Sequence, residues 1–99
     1  MNITTSAEGA QTVLHISGRV DTNTSAQLQD EIVKTLQTAK MLVLDFSDVQ
    51  YVSSAGLRAL MIGQKTASSK NARMEIIHVD AVVMSVLNAV GFSKILTIK

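Results

Sequence analysis

The sequence has 99 residues, of which 46% are hydrophobic, and its formal net charge is +1. This length suits one domain covering residues 1–99, and the absence of cysteine excludes disulfides and thiolate metal sites. The scattered Lys and Arg residues exclude the basic stripe of a nucleic-acid-binding protein. No apolar stretch approaches the roughly 20 residues of a membrane span, and no signal peptide opens the chain. The cytoplasm is therefore the expected location.

The first part of the chain predicts a β-hairpin followed by a helix. A weak strand over residues 3–6, a turn at Gly9 and a stronger strand over residues 12–17 form the hairpin. Capping residues at 21–24 precede the helix, and Thr24 and Gln27 have the spacing of a capping box. The predicted buried stripe of this helix comprises Leu28, Ile32, Leu36 and Ala39 (or Thr35).

The second part predicts strands alternating with helices. Residues 41–46 form an apolar run typical of a strand buried on both faces, and residues 74–79 predict another strand. A helix begins between them, with Ser53 or Ser54 as its N-cap. Asp80 caps a third helix, before a short terminal strand or packing tail; its predicted stripe comprises Val83, Val86, Leu87 and Val90. We therefore expect an α/β fold with a mixed sheet of four to five strands, an antiparallel edge hairpin, a parallel centre and about three helices packed on it.

No constellation in the sequence predicts catalysis. Ser54 precedes Gly56 as in a nucleophile elbow, but Val52 stands where the elbow has its first glycine. His15 and His78 have neither the order of a catalytic triad nor the spacing of metal ligands, so each is interpreted as an ordinary strand histidine, exposed or hydrogen-bonded. Phosphate-binding loops are also absent. We expect no enzymatic activity, no metal and no cofactor.

Ser54 is instead a candidate acceptor of phosphate. A phosphate there would add a charge of about −1.5 to −2 at the start of a helix, where free N–H groups and the helix dipole favour an anion. Such a modification would keep the fold and change an exposed surface. The alternative interpretation is that Ser53 and Ser54 only cap the helix.

Three segments, in order, resemble motifs of one family. Residues 18–21 (Gly-Arg-Val-Asp) are similar to the motif that ends its second strand, and residues 43–49 to its central strand. Residues 51–57 (Tyr-Val-Ser-Ser-Ala-Gly-Leu) are similar to its Asp-Ser-Ser/Thr-Gly-Leu turn. Essentially the whole chain resembles a STAS domain of the anti-sigma factor antagonist type.

The resemblance implies a binding function without catalysis. Such antagonists bind an anti-sigma factor, usually a serine kinase of the histidine-kinase-like ATPase type, and so free the sigma factor. The kinase phosphorylates the first serine of the turn, here Ser54, and a serine/threonine phosphatase resets it. Neither direct contact with nucleic acid nor membrane insertion is implied. The docking face implied around Ser54 includes Asp21, Ser53, Gly56, Leu57 and Arg58.

One position departs from the family pattern, because Ser53 stands where the family usually has aspartate. Either the kinase contact differs there or Ser53 shares the acceptor role. An alternative function also follows from the resemblance, since STAS domains serve as docking subunits of transporters without a phosphorylation switch. The short chain and its intact acceptor turn favour the antagonist.

Overall fold

The computed structural model describes all 99 residues. The strands are β1 (Asn2–Glu8), β2 (Gln11–Ser17), β3 (Met41–Asp48), β4 (Arg73–Ile77) and β5 (Thr97–Ile98). The helices are α1 (Ser25–Leu36), α2 (Ser54–Ser69) and α3 (Ala81–Ala89), and a short 3-10 helix covers Phe92–Lys94. No helix combines the length and the apolar content that a bilayer crossing requires.

The five strands form one sheet in the order β1-β2-β3-β4-β5. β1 is antiparallel to β2, and all other neighbours are parallel. This arrangement confirms the predicted α/β fold with an antiparallel edge hairpin and a parallel centre. The hairpin turns at Gly9 and Ala10, and of these two only Gly9 has a positive φ, +65°. This is the type II′ pattern, in which glycine occupies the first central position.

The three helices cover one face of the sheet. The crossovers from β2 to β5 all advance in the same direction, and right-handed connections then place their helices on the same side. Strand residues on that side are buried with the inner residues of the helices in a cluster of 19 side chains. The strand members of this cluster are Leu14, Ile16, Leu42, Leu44, Phe46, Met74 and Ile76.

Alternate strand residues point to the opposite side of the sheet, where no helix packs. We call this side the helix-free face, and its central residues are Val13, His15, Val43, Asp45, Glu75 and Ile77. Val13 and Val43 are buried there among their neighbours but lie outside the core cluster. The sheet therefore has one face that forms the core and one that carries separate side-chain interactions.

The capping prediction for the start of α1 was wrong. Thr24 is the N-cap, but its side chain makes no capping hydrogen bond. Its hydroxyl donates instead to the carbonyl oxygen of Arg19 at 2.7 Å and accepts from the N–H of Asp21 at 2.9 Å. The Thr24–Gln27 capping box is therefore absent. At the other end α1 stops at Leu36, so Ala39 lies beyond the helix, whereas the alternative, Thr35, lies within it and is half-buried.

Two later boundaries also differ from the sequence prediction. β4 ends at Ile77, two residues early, because His78 adopts a φ of +59°, which a strand cannot accommodate. Val90 was predicted on the inner stripe of α3, but the helix ends at Ala89. Val90 is its C-cap residue and is 48% exposed.

Candidate functional site at the start of helix α2

Two loops lie side by side at the carboxyl edge of the sheet, one after β2 and one after β3. The N–H of Val20 donates to the carbonyl oxygen of Tyr51 at 3.0 Å, and the N–H of Ser53 donates to that of Val20 at 2.8 Å. Val20 and Val52 thereby form a parallel bridge. The carboxyl edge is where α/β sheets place their ligands, and these bonds fix the backbone that leads into α2.

Gly56 allows α2 to begin directly against the two loops. A Cβ atom on Gly56 would lie 2.8 Å from the Cγ1 atoms of both Val20 and Val52, and 3.0 Å from the carbonyl oxygen of Val20. Leu57 follows and belongs to the core cluster. Gly56 and Leu57, both named in the predicted docking face, are therefore buried and support the turn from within.

The two serines of the turn have different environments. Ser53 is the N-cap of α2, and its Oγ accepts the N–H of Gly56 at 3.3 Å. Ser54 is the first helical residue, its side chain is exposed, and its hydroxyl has no hydrogen-bond partner within the chain. Thus one hydroxyl stabilises the helix and the other faces outward.

Ser53→Ala is expected to lower the free energy of unfolding by about 1 kcal/mol, because the N–H of Gly56 loses its acceptor. For a domain of this size the melting temperature should fall by roughly 4–8 °C. Thermal unfolding followed by circular dichroism measures the change. Ser54→Ala is the matched control and should stay within about 0.5 kcal/mol of the wild type. Greater destabilisation by Ser54→Ala than by Ser53→Ala would contradict these assignments.

Asp21 closes the turn that precedes α1. Its Oδ1 accepts the N–H groups of Asn23 at 2.9 Å and Thr24 at 3.1 Å. Desolvation raises the pKa of the carboxyl, but hydrogen bonds from Asn23 and Thr24 outweigh it and hold the pKa below its ordinary value. The Asp21 carboxylate is therefore charged at neutral pH, and Arg19 approaches it with Nε at 3.8 Å.

Sequence reasoning missed a neighbouring feature formed by Arg19 and Tyr51. The guanidinium carbon of Arg19 lies 4.0 Å from the centroid of the Tyr51 ring, within cation–π range. Tyr51 is one of only three aromatic residues in the chain, and it is 40% exposed. These side chains border a cavity of about 350 Å³ lined by Gly18, Arg19, Asp48, Gln50 and Tyr51. The available signal was the presence of a single tyrosine in a sequence whose hydrophobic residues are almost all aliphatic.

Arg58 is exposed one helical turn after Ser54 and forms no salt bridge within the chain. The two bridged loops and the first turns of α2 thus carry an exposed hydroxyl, an unpaired guanidinium, a charged carboxylate and an exposed aromatic ring. A family model described as "Mlab, STAS domain" matches residues 3–97. The chain belongs to the STAS domain family.

Solved structures share the fold of this STAS domain. An anti-sigma factor antagonist from Mycobacterium paratuberculosis superposes with a TM-score of 0.87 and 18% identity, covering 98% of this chain and 83% of that one. A STAS domain protein from Planctomyces limnophilus superposes with a TM-score of 0.85 and 16% identity, covering 98% of this chain and 87% of that one. The phosphorylated form of SpoIIAA from Bacillus superposes with a TM-score of 0.75 and 11% identity, covering 99% of this chain and 91% of that one. At these identities the likeness concerns the fold. The comparison with curated proteins gave no match.

The STAS domain also brings together three side chains that the sequence left apart. On the helix-free face, Asp45 Oδ2 lies 2.9 Å from His15 Nδ1, and Asp45 Oδ1 lies 3.0 Å from His78 Nδ1. The imidazoles come from opposite sides of β3, and both are more than half exposed. Both histidines are therefore exposed and paired with Asp45, as predicted, but only His15 is a strand residue, because His78 lies just beyond β4. No group of three or more His, Asp or Glu side chains has the geometry to hold a metal ion.

The Asp45 side chain is buried, with only 9% of it exposed. Desolvation raises its pKa, but the N–H of Ser47 and the His78 imidazole outweigh this effect and lower the pKa from 3.8 to about 2. Because the pKa in the folded state is below that of the unfolded chain, the carboxylate stabilises the fold above pH 3.8. This contribution is lost as the pH falls through about 2.

Asp45→Asn is expected to remove about 2 kcal/mol of stability near neutral pH, corresponding to this pKa difference. The variant should also lose much of the wild-type decline in stability below pH 3.8. Urea unfolding between neutral and acidic pH measures both effects. Asp48→Asn changes an exposed carboxylate on the same strand and serves as the control. Equal effects of the two substitutions would contradict a specific role for the Asp45 cluster.

Proposed function

We propose that this STAS domain is an anti-sigma factor antagonist, which binds an anti-sigma factor through the start of α2 and is released by phosphorylation of Ser54. One observation carries the proposal. The Ser54 hydroxyl is exposed and without a partner on a rigid turn, while the neighbouring Ser53 hydroxyl is engaged as the helix cap. On this basis Ser54 is the acceptor and Ser53 positions it. The cytoplasm, where sigma factors act, is the proposed location.

The surroundings of Ser54 suit a reversible phosphate. The first N–H groups of α2 and the positive end of its dipole favour an anion by about 0.3–1 kcal/mol. Arg58 is free one turn later and supplies a cation on the same side of the helix. A phosphate would therefore be tolerated by the fold, while its charge and size would change the surface that the partner meets.

The proposed docking face surrounds the acceptor. Asp21 contributes a carboxylate, Arg58 a guanidinium and Tyr51 an exposed ring, while Ser53 holds the helix start. Gly56 and Leu57 are buried beneath this face, where they pack the start of α2 against the loops and the core. Exposed aromatic and arginine side chains next to a rigid turn are typical of the anchors that dominate protein interfaces.

A binding role, rather than catalysis, is supported by the position of the possible bases. Attack by Ser54 would require a histidine within hydrogen-bond distance of its hydroxyl. Both histidines instead turn their Nδ1 atoms towards Asp45 on the helix-free face, and neither contacts Ser54. We therefore propose that Ser54 is modified by a serine kinase of the anti-sigma type and reset by a phosphatase.

A second candidate function has one observation in its favour. The description of the family model that matches the chain, "Mlab, STAS domain", does not mention an antagonist, and the antagonist structures compared above are at most 18% identical. A STAS docking subunit of a transporter, without a phosphorylation switch, would use the same fold. The two candidates differ in whether Ser54 accepts phosphate.

Intact-mass spectrometry after incubation with ATP and the kinase-like ATPase encoded nearest to this protein's gene tests the switch. The expected result is the gain of one phosphate by the wild type and by Ser53→Ala, and no gain by Ser54→Ala. A gain that survives in Ser54→Ala would contradict the assignment. A wild type that neither gains phosphate nor binds the ATPase would favour the docking subunit.

A further inference from the structure

The two edges of the sheet differ in how they are protected. β5 is only two residues long and lies close to Lys94 and Lys99, which is a usual way to prevent edge pairing. β1 at the opposite edge has seven residues in unbroken register with β2. It contains no proline, lysine or arginine, and residues 2–8 make no backbone hydrogen bond beyond the hairpin. β1 therefore presents an open edge.

The hairpin determines which backbone groups face outward from β1. Its two-residue turn is closed by the pair Glu8 and Gln11, and a pair that closes such a turn exchanges two hydrogen bonds. Hydrogen-bonded pairs alternate along an antiparallel ladder, so even-numbered residues of β1 bond to β2. Three residues consequently direct their N–H and C=O groups away from the sheet: Ile3, Thr5 and Ala7.

We infer that β1 pairs antiparallel with β1 of a second copy of this chain, around a two-fold axis at Thr5. The three outward-facing residues would then form hydrogen-bonded pairs, Ile3 with Ala7, Thr5 with Thr5, and Ala7 with Ile3, joining two sheets into one. We choose a second copy as the partner because the three outward-facing residues are arranged symmetrically about Thr5. Each of them therefore meets an outward-facing residue of the other copy.

The side chains agree with this pairing. Thr5 meets Thr5 and Thr4 meets Ser6, which are hydroxyl pairs that stabilise neighbouring strands. Ile3 meets Ala7, an apolar pair on the side of the helices. Glu8 is the only charged residue of β1, and it meets Asn2, so no like charges oppose each other.

Thr5→Pro tests the inference, because proline removes the outward N–H at the two-fold axis and is tolerated where that N–H faces solvent. Thr5→Val is the matched control, since it keeps the N–H and a β-branched side chain. Sedimentation equilibrium should show a reversible dimer of the wild type and of Thr5→Val. Association of Thr5→Pro should be at least about tenfold weaker, with an unchanged circular dichroism spectrum. A monomeric wild type up to millimolar concentration would overturn the inference, as would a dimer that Thr5→Pro leaves intact.

Amide NMR over a concentration series gives a second measurement that does not depend on a variant. The amides of Ile3, Thr5 and Ala7 should become more protected from solvent exchange as dimer forms, while the even-numbered amides of β1 change little. Concentration-dependent changes confined to another surface, with β1 unaffected, would also overturn the inference.

Discussion

Gly56→Val is expected to lower the free energy of unfolding by about 3 kcal/mol, which is a large part of the 5–15 kcal/mol typical of a domain. The new side chain has no room, because even a Cβ atom would lie 2.8 Å from two valine side chains and 3.0 Å from a backbone oxygen. Valine also has only modest helix propensity, so it brings no compensation. The whole start of α2 would have to move away from the two loops.

Thermal and urea unfolding measure this effect, and the melting temperature should fall by more than about 10 °C. Ala55→Val is the matched control, because Ala55 precedes Gly56 on the same helix but is partly exposed. It should change stability by less than about 1 kcal/mol. If Gly56→Val were as stable as Ala55→Val, the close contact between α2 and the loops would not be needed for the fold.

Ser54→Glu is expected to weaken binding to the anti-sigma partner at least about 100-fold, equivalent to about 2.8 kcal/mol. The substitution places a negative charge in the middle of the proposed docking face. It should not destabilise the chain, because an acidic side chain in the first turn of a helix is favourable. Loss of binding without loss of stability is the signature that separates a switch from a structural residue.

Isothermal titration calorimetry with the partner measures this loss. Ser54→Ala should bind like the wild type, because it adds neither charge nor bulk. Ser68→Glu introduces the same charge at an exposed serine near the other end of α2 and should also bind normally. Equal losses in Ser54→Glu and Ser68→Glu would indicate a general effect of charge, and unchanged binding of Ser54→Glu would contradict the switch.

The architecture could be predicted because the local signals were strong. Apolar runs at residues 41–46 and 74–79 required buried strands, and the helical spacing after Ser54 required a crossover. The ends of the helices and strands were harder to predict, because they depend on single side chains and backbone angles. The Thr24 hydroxyl bonds to the loop before it instead of capping, and the left-handed backbone of His78 ends β4 early.

The candidate site was only partly predictable. The Ser53-Ser54 turn could be located, but which hydroxyl would cap the helix required the backbone geometry of Ser53. Asp45 was placed on the central strand, yet its contacts with His15 and His78 depend on the register of three strands. The stacking of Arg19 on Tyr51 likewise arises only because two loops distant in sequence are bridged at Val20 and Val52.

The central claim is that the partner binds at the start of α2 around Ser54. It is tested most directly by NMR titration of the isotope-labelled protein with the kinase-like ATPase encoded nearest to its gene. The largest amide changes are expected in residues 19–21 and 51–58, and little change is expected in the same titration of Ser54→Glu. Changes concentrated on the helix-free face or along α3, with the amides of 51–58 unaffected, would contradict it.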